Sequence, residues 1–437
     1  MKKYIYLFMA LIAFSCSEDD RIFDQESTER IAETLTEYNE LLLSSANGWK
    51  MQYFPDPDRL GGYNFLFKFE EDNRVVSQSD FNNSERESSY KLYDGQGAIL
   101  SFDSYSLLHI LADPGANPVG TGYGGEFELV IERSTADSLI CKGRKWKQPM
   151  ILTRATAEDW AGMDEIKANE MILAPVTENM PFFRNLRVGG NGIATFLYEY
   201  TNRFVEYYYN DEKGDTQSGL VGIVFSRHGF SLEHEINING TLLKDFKLDA
   251  SKQFYTFGEN GTITIDHYSS VEFKDAWDSF YKIDGSSLSR SSLDFYSLFE
   301  DVQELEPGFA TLQVYWNMSN LKLFSFVFVE SSEEASVTKW YHSVIGNIDS
   351  PGEDNVTFHQ RLDDATGLPL VLTNIADNQS EIDRLFYEEN ESSARIQKIT
   401  DFFYDPEGFT VIPNSGGATF YLISKSRSNY WLLFTAY

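Results

Sequence analysis

The sequence predicts an α+β protein of mainly antiparallel sheets, with helices packed on one side of them. Much of the chain consists of short stretches in which aromatic and aliphatic residues alternate with polar ones, as strands do. No helix-length crossover separates the first strands, so they are expected to pair antiparallel. Hydrophobic residues make up 42% and aromatic residues 15% of the 437 residues, which is enough for a packed core. A chain of this length is expected to form two or three domains.

The first predicted element is an amphipathic helix over residues 27–45. "STERIAETLTEYNELLLSS" opens with a serine and a threonine that can cap a helix. Its apolar residues recur on one face, at Ile31, Leu35, Tyr38, Leu41 and Leu42. Asn47 and Gly48 then form a stop signal, and a strand follows that ends at Pro55.

Hairpins are predicted after this helix. In "GGYNFLFKFEEDNRVVSQSD", three phenylalanines at 65, 67 and 69 alternate with other residues, and a turn falls at Asp72 and Asn73. Further strands are predicted at "SSYKLY", "AILSFD", "GEFELVIE", "SLICKG" and "MILTRA".

Similar strings along the chain predict repeated helix-plus-meander units. "ILSFDSYSLLH" at 99–109 aligns with "VFSRHGFSLEH" at 224–234. The alternative is that aromatic hairpins converge on similar strings because strand faces select the same residues. With duplication, the predicted organisation is a signal peptide at 1–16, a tether at 17–26, an α+β unit at 27–155, a related unit at 156–270, and a C-terminal region at 271–437 with a third unit and a shortened fourth.

The N-terminus has the parts of an export signal. Lys2 and Lys3 precede an apolar run at 4–14, and small residues follow it. A membrane-spanning helix needs roughly 20 apolar residues, so this run is too short for an ordinary anchor. One interpretation is a plain secretory signal cut near Ala13 or Ser15.

The other interpretation is a lipid anchor. "AFSC", ending at Cys16, resembles a bacterial lipobox, although Phe14 departs from its commonest form. Lipidation of Cys16 would attach the protein to the outer membrane, because two or more acyl chains give stable anchoring. The next four residues, Ser17, Glu18, Asp19 and Asp20, resemble a signal that sends Bacteroidetes lipoproteins to the cell surface. The alternative for these four residues is a solvated charge run that opens the tether.

Charge and cysteine content limit the partners and sites that are possible. The formal net charge is -31, which disfavours binding to nucleic acid and to anionic lipid surfaces. After lipidation of Cys16, only Cys141 remains, so no internal disulfide or cysteine metal cluster is expected. Cys141 is predicted to be a buried strand residue.

We find no catalytic signature and predict no catalytic residue, metal site or cofactor. The sequence has no H-E-x-x-H motif and no G-x-S-x-G elbow.

"RVGGNG" at 187–192 is interpreted as a hairpin turn. His109 and His234 occupy matching positions in the aligned strings, which favours structural roles. In the glycine-rich loop "GTGYGGEF" at 120–127, glycines supply positive φ, and Tyr123 at the centre is the candidate for contact with a ligand.

The 66 aromatic residues are expected mainly to fill the core. Exposed tryptophans or tyrosines among them could stack on sugar rings or hold peptides.

Several motifs of the N-terminal quarter resemble a known family. "NGWKMQYFPDPDRLGGYNFLFKF", "SSYKLY", "LSFDSYSLLH", "GGEFEL" and "CKGRK" are similar to the Bacteroidetes lipoprotein family filed as domain of unknown function 4302. The likeness is specific from Glu29 to Arg154. No catalytic residues are assigned to that family. The resemblance implies a gene neighbourhood with a TonB-dependent transporter and its SusD-like lipoprotein partner.

The functional prediction is therefore a surface-exposed outer-membrane lipoprotein. It would act as a non-enzymatic accessory binding or assembly subunit of a nutrient-uptake complex, with a glycan or peptide as its ligand. The alternatives are a hydrolase that acts on the imported polymer and a purely structural surface lipoprotein.

Overall fold

A computed structural model describes residues 27–437 except for the following positions: 57–59, 82–84, 96, 117–121, 175–179, 201, 274–280, 284–290, 308, 318–322, 332–337, 350–354, 361–363, 365–370, 374–382, 414–418 and 437. The chain divides into two compact units. The first contains the described residues up to Met51 and residues 65–160, and the second contains residues 52–64 and 161–437.

Helices are short and few compared with strands in the described part of the chain. The α-helices are α1 (Ser27–Leu43), α2 (Leu107–Ala112), α3 (Ala157–Ala161), α4 (Met163–Leu173), α5 (Leu293–Leu305) and α6 (Glu391–Phe403). Single 3₁₀ turns cover Glu71–Asn73 and Pro114–Ala116, and a π-turn covers Asp383–Tyr387. Helix α1 confirms the helix predicted over residues 27–45.

Eight antiparallel strands close into a first barrel, in sequence order. They are β1 (Trp49–Tyr53), β2 (Tyr63–Glu70), β3 (Arg74–Ser79), β4 (Arg86–Asp94), β5 (Ala98–Asp103), β6 (Glu128–Ser134), β7 (Ser138–Gly143) and β8 (Pro149–Arg154). The predicted hairpin is confirmed as β2 and β3, with Asp72 and Asn73 at positive φ in its turn.

Aromatic rings fill the interior of this barrel. Phe65, Phe67 and Phe102 are fully buried, and the ring centroids of Phe67 and Phe102 lie 4.9 Å apart. Tyr90 packs edge-on against Phe69 at 4.8 Å, and its hydroxyl donates to Asn39 of α1. Cys141 is buried in β7, as predicted.

The second barrel also has eight antiparallel strands, which again follow sequence order around the barrel. They are β9 (Phe183–Val188), β10 (Asn191–Glu199), β11 (Phe204–Asn210), β12 (Thr216–Ser226), β13 (Gly229–Ile238), β14 (Thr241–Leu248), β15 (Tyr255–Phe257) and β16 (Gly261–Asp266). The last strand pairs with the first, from Gly261 opposite Val188 to Asp266 opposite Phe183. "RVGGNG" forms the β9–β10 hairpin turn, as predicted, with Gly189 and Gly190 at positive φ.

A nine-stranded sheet follows the second barrel. Its strands are β17 (Tyr281–Ile283), β18 (Phe309–Asn317), β19 (Leu323–Ser331), β20 (Thr338–Asp349), β21 (Asn355–Gln360), β22 (Val371–Thr373), β23 (Phe409–Pro413), β24 (Thr419–Ser424) and β25 (Trp431–Ala436). Their order is β19-β18-β17-β25-β24-β23-β21-β20-β22, with an additional β19–β20 pairing. Ile412, Ile423 and Trp431 of this sheet form one hydrophobic cluster with residues of the second barrel, including Leu197 and Tyr208.

The predicted fold class, an α+β protein of mainly antiparallel sheets with packed helices in repeated helix-plus-meander units, is wrong. Most of the described residues are in antiparallel strands, and two of the meanders close into barrels. Strand alternation is the same in an open sheet and in a closed one, so periodicity does not reveal closure. The aligned strings also fold differently: residues 107–109 begin helix α2, whereas residues 232–234 lie within strand β13.

A buried ion pair joins helix α4 to the turn between β10 and β11. The guanidinium of Arg203 donates to both carboxylate oxygens of Glu170, at 3.1 and 2.9 Å, and to the carbonyl of Gly62 at 3.1 Å. Both side chains are only 4% exposed. The hydroxyl of Tyr198, whose pKa is raised by burial and by the Glu170 charge, donates to the same carboxylate.

A second buried cation, Arg184, donates hydrogen bonds to the carbonyl groups at the C-terminal end of α4. Arg184 is 1% exposed, and its guanidinium donates to the carbonyls of Leu173 and Ala174, both at 2.9 Å, and of Phe182 at 2.7 Å. A cation is favourable at this end of a helix because the last carbonyls point toward it. Burial lowers the pKa of Arg184 to about 9.

Replacing Arg203 with methionine should lower the free energy of unfolding by about 3–5 kcal/mol, because it leaves the buried Glu170 carboxylate without its cation. Urea unfolding measures this change. Arg74→Met is the matched control: Arg74 is half-exposed and pairs with Glu70 and Glu87, so its loss should cost about 1 kcal/mol or less. Equal effects of the two substitutions would show that the buried pair is not a principal support of α4.

Candidate functional site

The candidate site lies at one end of the first barrel. Because adjacent strands are antiparallel, the β3–β4, β5–β6 and β7–β8 connections all fall at the same end. The β5–β6 connection, residues 104–127, is the longest of the three and contains helix α2 and Tyr123. We refer to this end as the loop end of the first barrel.

Tyr105 forms an exposed aromatic platform at the loop end. It is 50% exposed and, like Ser104 before it, has a left-handed backbone, with φ of 48° and 52°. Such a conformation costs of order 1–3 kcal/mol per non-glycine residue, so its surroundings must stabilise it. The hydroxyl of Tyr105 donates to Asp113 Oδ2 at 2.7 Å, and Arg86 donates to its carbonyl at 3.2 Å. This hydrogen bond from Tyr105 lowers the pKa of Asp113.

His109 lies beneath this platform. Its ring stacks on Tyr105 with centroids 5.7 Å apart and on Phe127 at 4.0 Å. Its Nδ1 accepts from the backbone N–H of Ser106 at 3.0 Å, at the start of helix α2. Burial lowers the pKa of His109, which favours the neutral ring that this acceptor role needs. His109 therefore caps a short helix, whereas His234 is exposed on β13.

Tyr123, the ligand-contact candidate from the sequence, also lies at the loop end. Its side chain is half-buried, and its ring meets Phe81 edge-on at 6.2 Å. Its N–H donates to the carbonyl of Leu111 at 3.0 Å. The neighbouring Gly122 and Gly124 have φ of 66° and 69°, as predicted for this loop. Contact between Tyr123 and a ligand stays a prediction.

The β7–β8 turn is built around one buried carboxylate. Glu126 is 4% exposed, and its two oxygens accept from the backbone N–H groups of Lys145, at 2.6 Å, and of Trp146. A Cβ at Gly143 would collide with this carboxylate, so the glycine leaves room for Glu126 in the position that it occupies here. The N–H of Arg144 donates to the carbonyl of Glu128 at 2.9 Å and closes the turn.

This turn, residues 144–148, holds Trp146 in an exposed position. The indole is 51% exposed, and the ammonium of Lys145 lies 4.3 Å from its centroid. Lys147 has a left-handed backbone, with φ of 64°, and its ammonium donates to the carbonyl of Arg144. We refer to residues 144–148 as the Trp146 turn.

The sequence analysis missed the Trp146 turn, although the sequence carries a signal for it. Residues 138–154 include five cations and no acid, in a chain with 36 cations and 67 acids. A basic run without acids of its own, with a tryptophan at its centre, is typical of a solvent-exposed segment. Of residues 138–154, only "CKGRK" at 141–145 belongs to the motifs that resemble the family.

The remaining predicted site residues, Cys16 and Ser17 to Asp20, lie outside the described residues. Within the residues that are described, no group of three or more His, Cys, Asp and Glu side chains is placed to hold a metal ion. No described helix is long and apolar enough to cross a membrane.

A family model described as Domain of unknown function (DUF4302) matches residues 19–250. The chain belongs to this family. The match confirms the resemblance noted in the sequence, and it includes the whole loop end of the first barrel. No curated protein matches this DUF4302 protein.

Replacing Glu126 with glutamine should loosen the Trp146 turn of this DUF4302 protein. The amide keeps one acceptor oxygen but places an N–H₂ group opposite a backbone N–H, at a cost of about 1–3 kcal/mol. Hydrogen exchange at the amides of Lys145 and Trp146 should become faster. Glu132→Gln is the control, because the Glu132 carboxylate pairs with Lys142, outside the turn. Unchanged protection in Glu126→Gln would contradict this role of the carboxylate.

The pKa of His109 predicts a pH-dependent loosening of the Tyr105 platform. Because its folded-state pKa is lowered from 6.5, its contribution to stability is complete above about pH 6.5 and is lost as the pH falls through the folded-state pKa. The melting temperature should therefore fall between about pH 7.5 and about pH 5 more in the wild type than in His109→Gln, since glutamine accepts the same capping hydrogen bond without titrating.

His234→Gln is the control for this pH effect, because it removes an exposed histidine. Its melting temperature should follow that of the wild type across the same pH range. Parallel curves for the wild type and His109→Gln would contradict the proposed role of His109.

Proposed function

We propose that this DUF4302 protein is a surface-exposed lipoprotein of the outer membrane, anchored through Cys16. It acts as a non-enzymatic accessory subunit of a nutrient-uptake complex and binds a ligand or partner at the loop end of its first barrel. The complex would contain a TonB-dependent transporter and a SusD-like lipoprotein. Ser17, Glu18, Asp19 and Asp20 would direct the protein to the cell surface.

The Trp146 turn is the observation that carries the binding role. Large aromatic side chains with few rotatable bonds bind at low entropic cost, and a turn fixed in advance lowers that cost further. Trp146 is half-exposed although Glu126 fixes the backbone on which it is mounted. This is the combination expected of a binding surface.

The hydrogen bonds of two buried carboxylates, Glu126 and Glu170, support a non-catalytic role. Glu126 accepts from backbone N–H groups, and Glu170 accepts from Arg203 and Tyr198. These bonds hold a turn and a helix in place. A general acid or base must instead reach the proton that it transfers.

Lipidation and assembly can be tested together in the native organism. Mass spectrometry of the mature protein should find an N-terminus at Cys16 that carries fatty acyl groups, and protease treatment of intact cells should degrade the protein. Pull-down from detergent-solubilised outer membranes should recover the transporter and its lipoprotein partner.

Cys16→Ala should lose the acyl groups and the outer-membrane location, because the thiol is the site of attachment. Cys141→Ala is the matched control: this cysteine is buried in β7 and should keep both properties. A mature N-terminus elsewhere would refute the anchor. A pull-down without transporter or partner lipoprotein would refute the assembly.

A further inference from the structure

We infer that the Trp146 turn binds a short acidic oligosaccharide, at sugar units that carry a carboxylate. This inference rests on the proposed function, since it names the ligand class of the same surface.

Three of the five cations in residues 138–154 already have carboxylate partners. Lys142 pairs with Glu132, Arg144 with Glu128 at 2.9 Å, and Arg154 with Asp137 at 3.1 Å.

Lys145 and Lys147 differ from these three cations. Among the described residues, neither ammonium group has a carboxylate within ion-pair distance, and both side chains are exposed. Two positive charges beside Trp146 are therefore available to an anion from outside.

The available charge lies close to the apolar surface. Lys145 Nζ lies over one face of the indole, 4.3 Å from its centroid. A ligand can stack on the opposite face, and the flexible lysine stem lets the ammonium reach an anionic group at the edge of that ligand. One ligand unit must then offer an apolar face and an anionic edge together. A pyranose with a carboxylate has both: its C–H face can stack on the indole and its carboxylate can accept from an ammonium group.

The acidic charge of the whole chain argues against larger anionic surfaces. A membrane of anionic lipid or a long nucleic acid would face much of a protein whose net charge is -31, and would be repelled. A sugar unit faces only the turn. Charges more than about 8 Å away are largely screened at physiological ionic strength. Of the nearby charges, the Glu126 carboxylate is buried and bonded to backbone N–H groups, whereas Lys145 and Lys147 are exposed to the ligand.

The probe is a short oligogalacturonate, compared with its fully methyl-esterified form, which keeps the ring faces and removes the charges. Calorimetry on the full-length protein in detergent should give binding that is about tenfold or more tighter for the charged form. Trp146→Ala should weaken binding of the charged form about tenfold or more. Lys145→Gln combined with Lys147→Gln should make binding of the two forms equal.

Two controls match these substitutions in exposure. Lys213→Gln removes an exposed lysine in the β11–β12 turn, and Tyr268→Ala removes a side chain that is 62% exposed. Both should bind oligogalacturonate like the wild type. Trp146 and both lysines are exposed, so the variants should fold, which thermal melting verifies.

Equal affinity for charged and esterified forms, or unchanged binding in Trp146→Ala, would overturn the inference. Binding to phosphatidylglycerol vesicles or to single-stranded DNA in place of the saccharide would also overturn it. If the protein binds no saccharide but still co-purifies with the transporter, the ligand class fails and the proposed function stands. If co-purification fails as well, the proposed function fails with it.

Discussion

Closure of the antiparallel strands is the constraint on which the first two-thirds of the structure depends. An eight-stranded barrel has no free edges, and its interior is just wide enough to be filled by side chains or to hold one small ligand. Here aromatic rings occupy that space, with Phe67 against Phe102 in the first barrel and Phe230 against Phe246 at 4.4 Å in the second. Because these rings fill both interiors, binding is left to the outer surface, where the loop end of the first barrel exposes Tyr105 and Trp146.

Local structure could be predicted from the sequence, but closure could not. The alternation of Phe65, Phe67 and Phe69 locates a strand and its buried face, and Asp72-Asn73 locates its turn. Whether β16 returns to pair with β9 depends on twist and on contacts between residues about 80 positions apart, which periodicity does not contain. The same limit explains why similar strings do not predict the same local structure: Ser-Leu-x-His begins a helix at 106–109 and lies within a strand at 231–234.

The candidate site was partly visible in the sequence. Composition around Trp146 could have revealed a basic, aromatic turn, because five cations without an acid are unusual in this chain. The role of Glu126 could not have been found that way. It is one of 67 acids, and only the fold places its carboxylate under the N–H groups of Lys145 and Trp146. An acid that satisfies backbone donors has no sequence pattern of its own.

Left-handed backbone conformations occur in the buried Arg203–Glu170 network and also at the loop end. Arg203, Tyr105 and Lys147 all have left-handed conformations that bulky residues avoid. Each persists where a polar contact holds it: the Glu170 carboxylate for Arg203, Asp113 for Tyr105, and the Arg144 carbonyl for Lys147. A backbone held in such conformations has few other conformations available, so the backbone at Tyr105 and Trp146 is held in place. The strain at the loop end is therefore consistent with a surface that is organised before its ligand arrives.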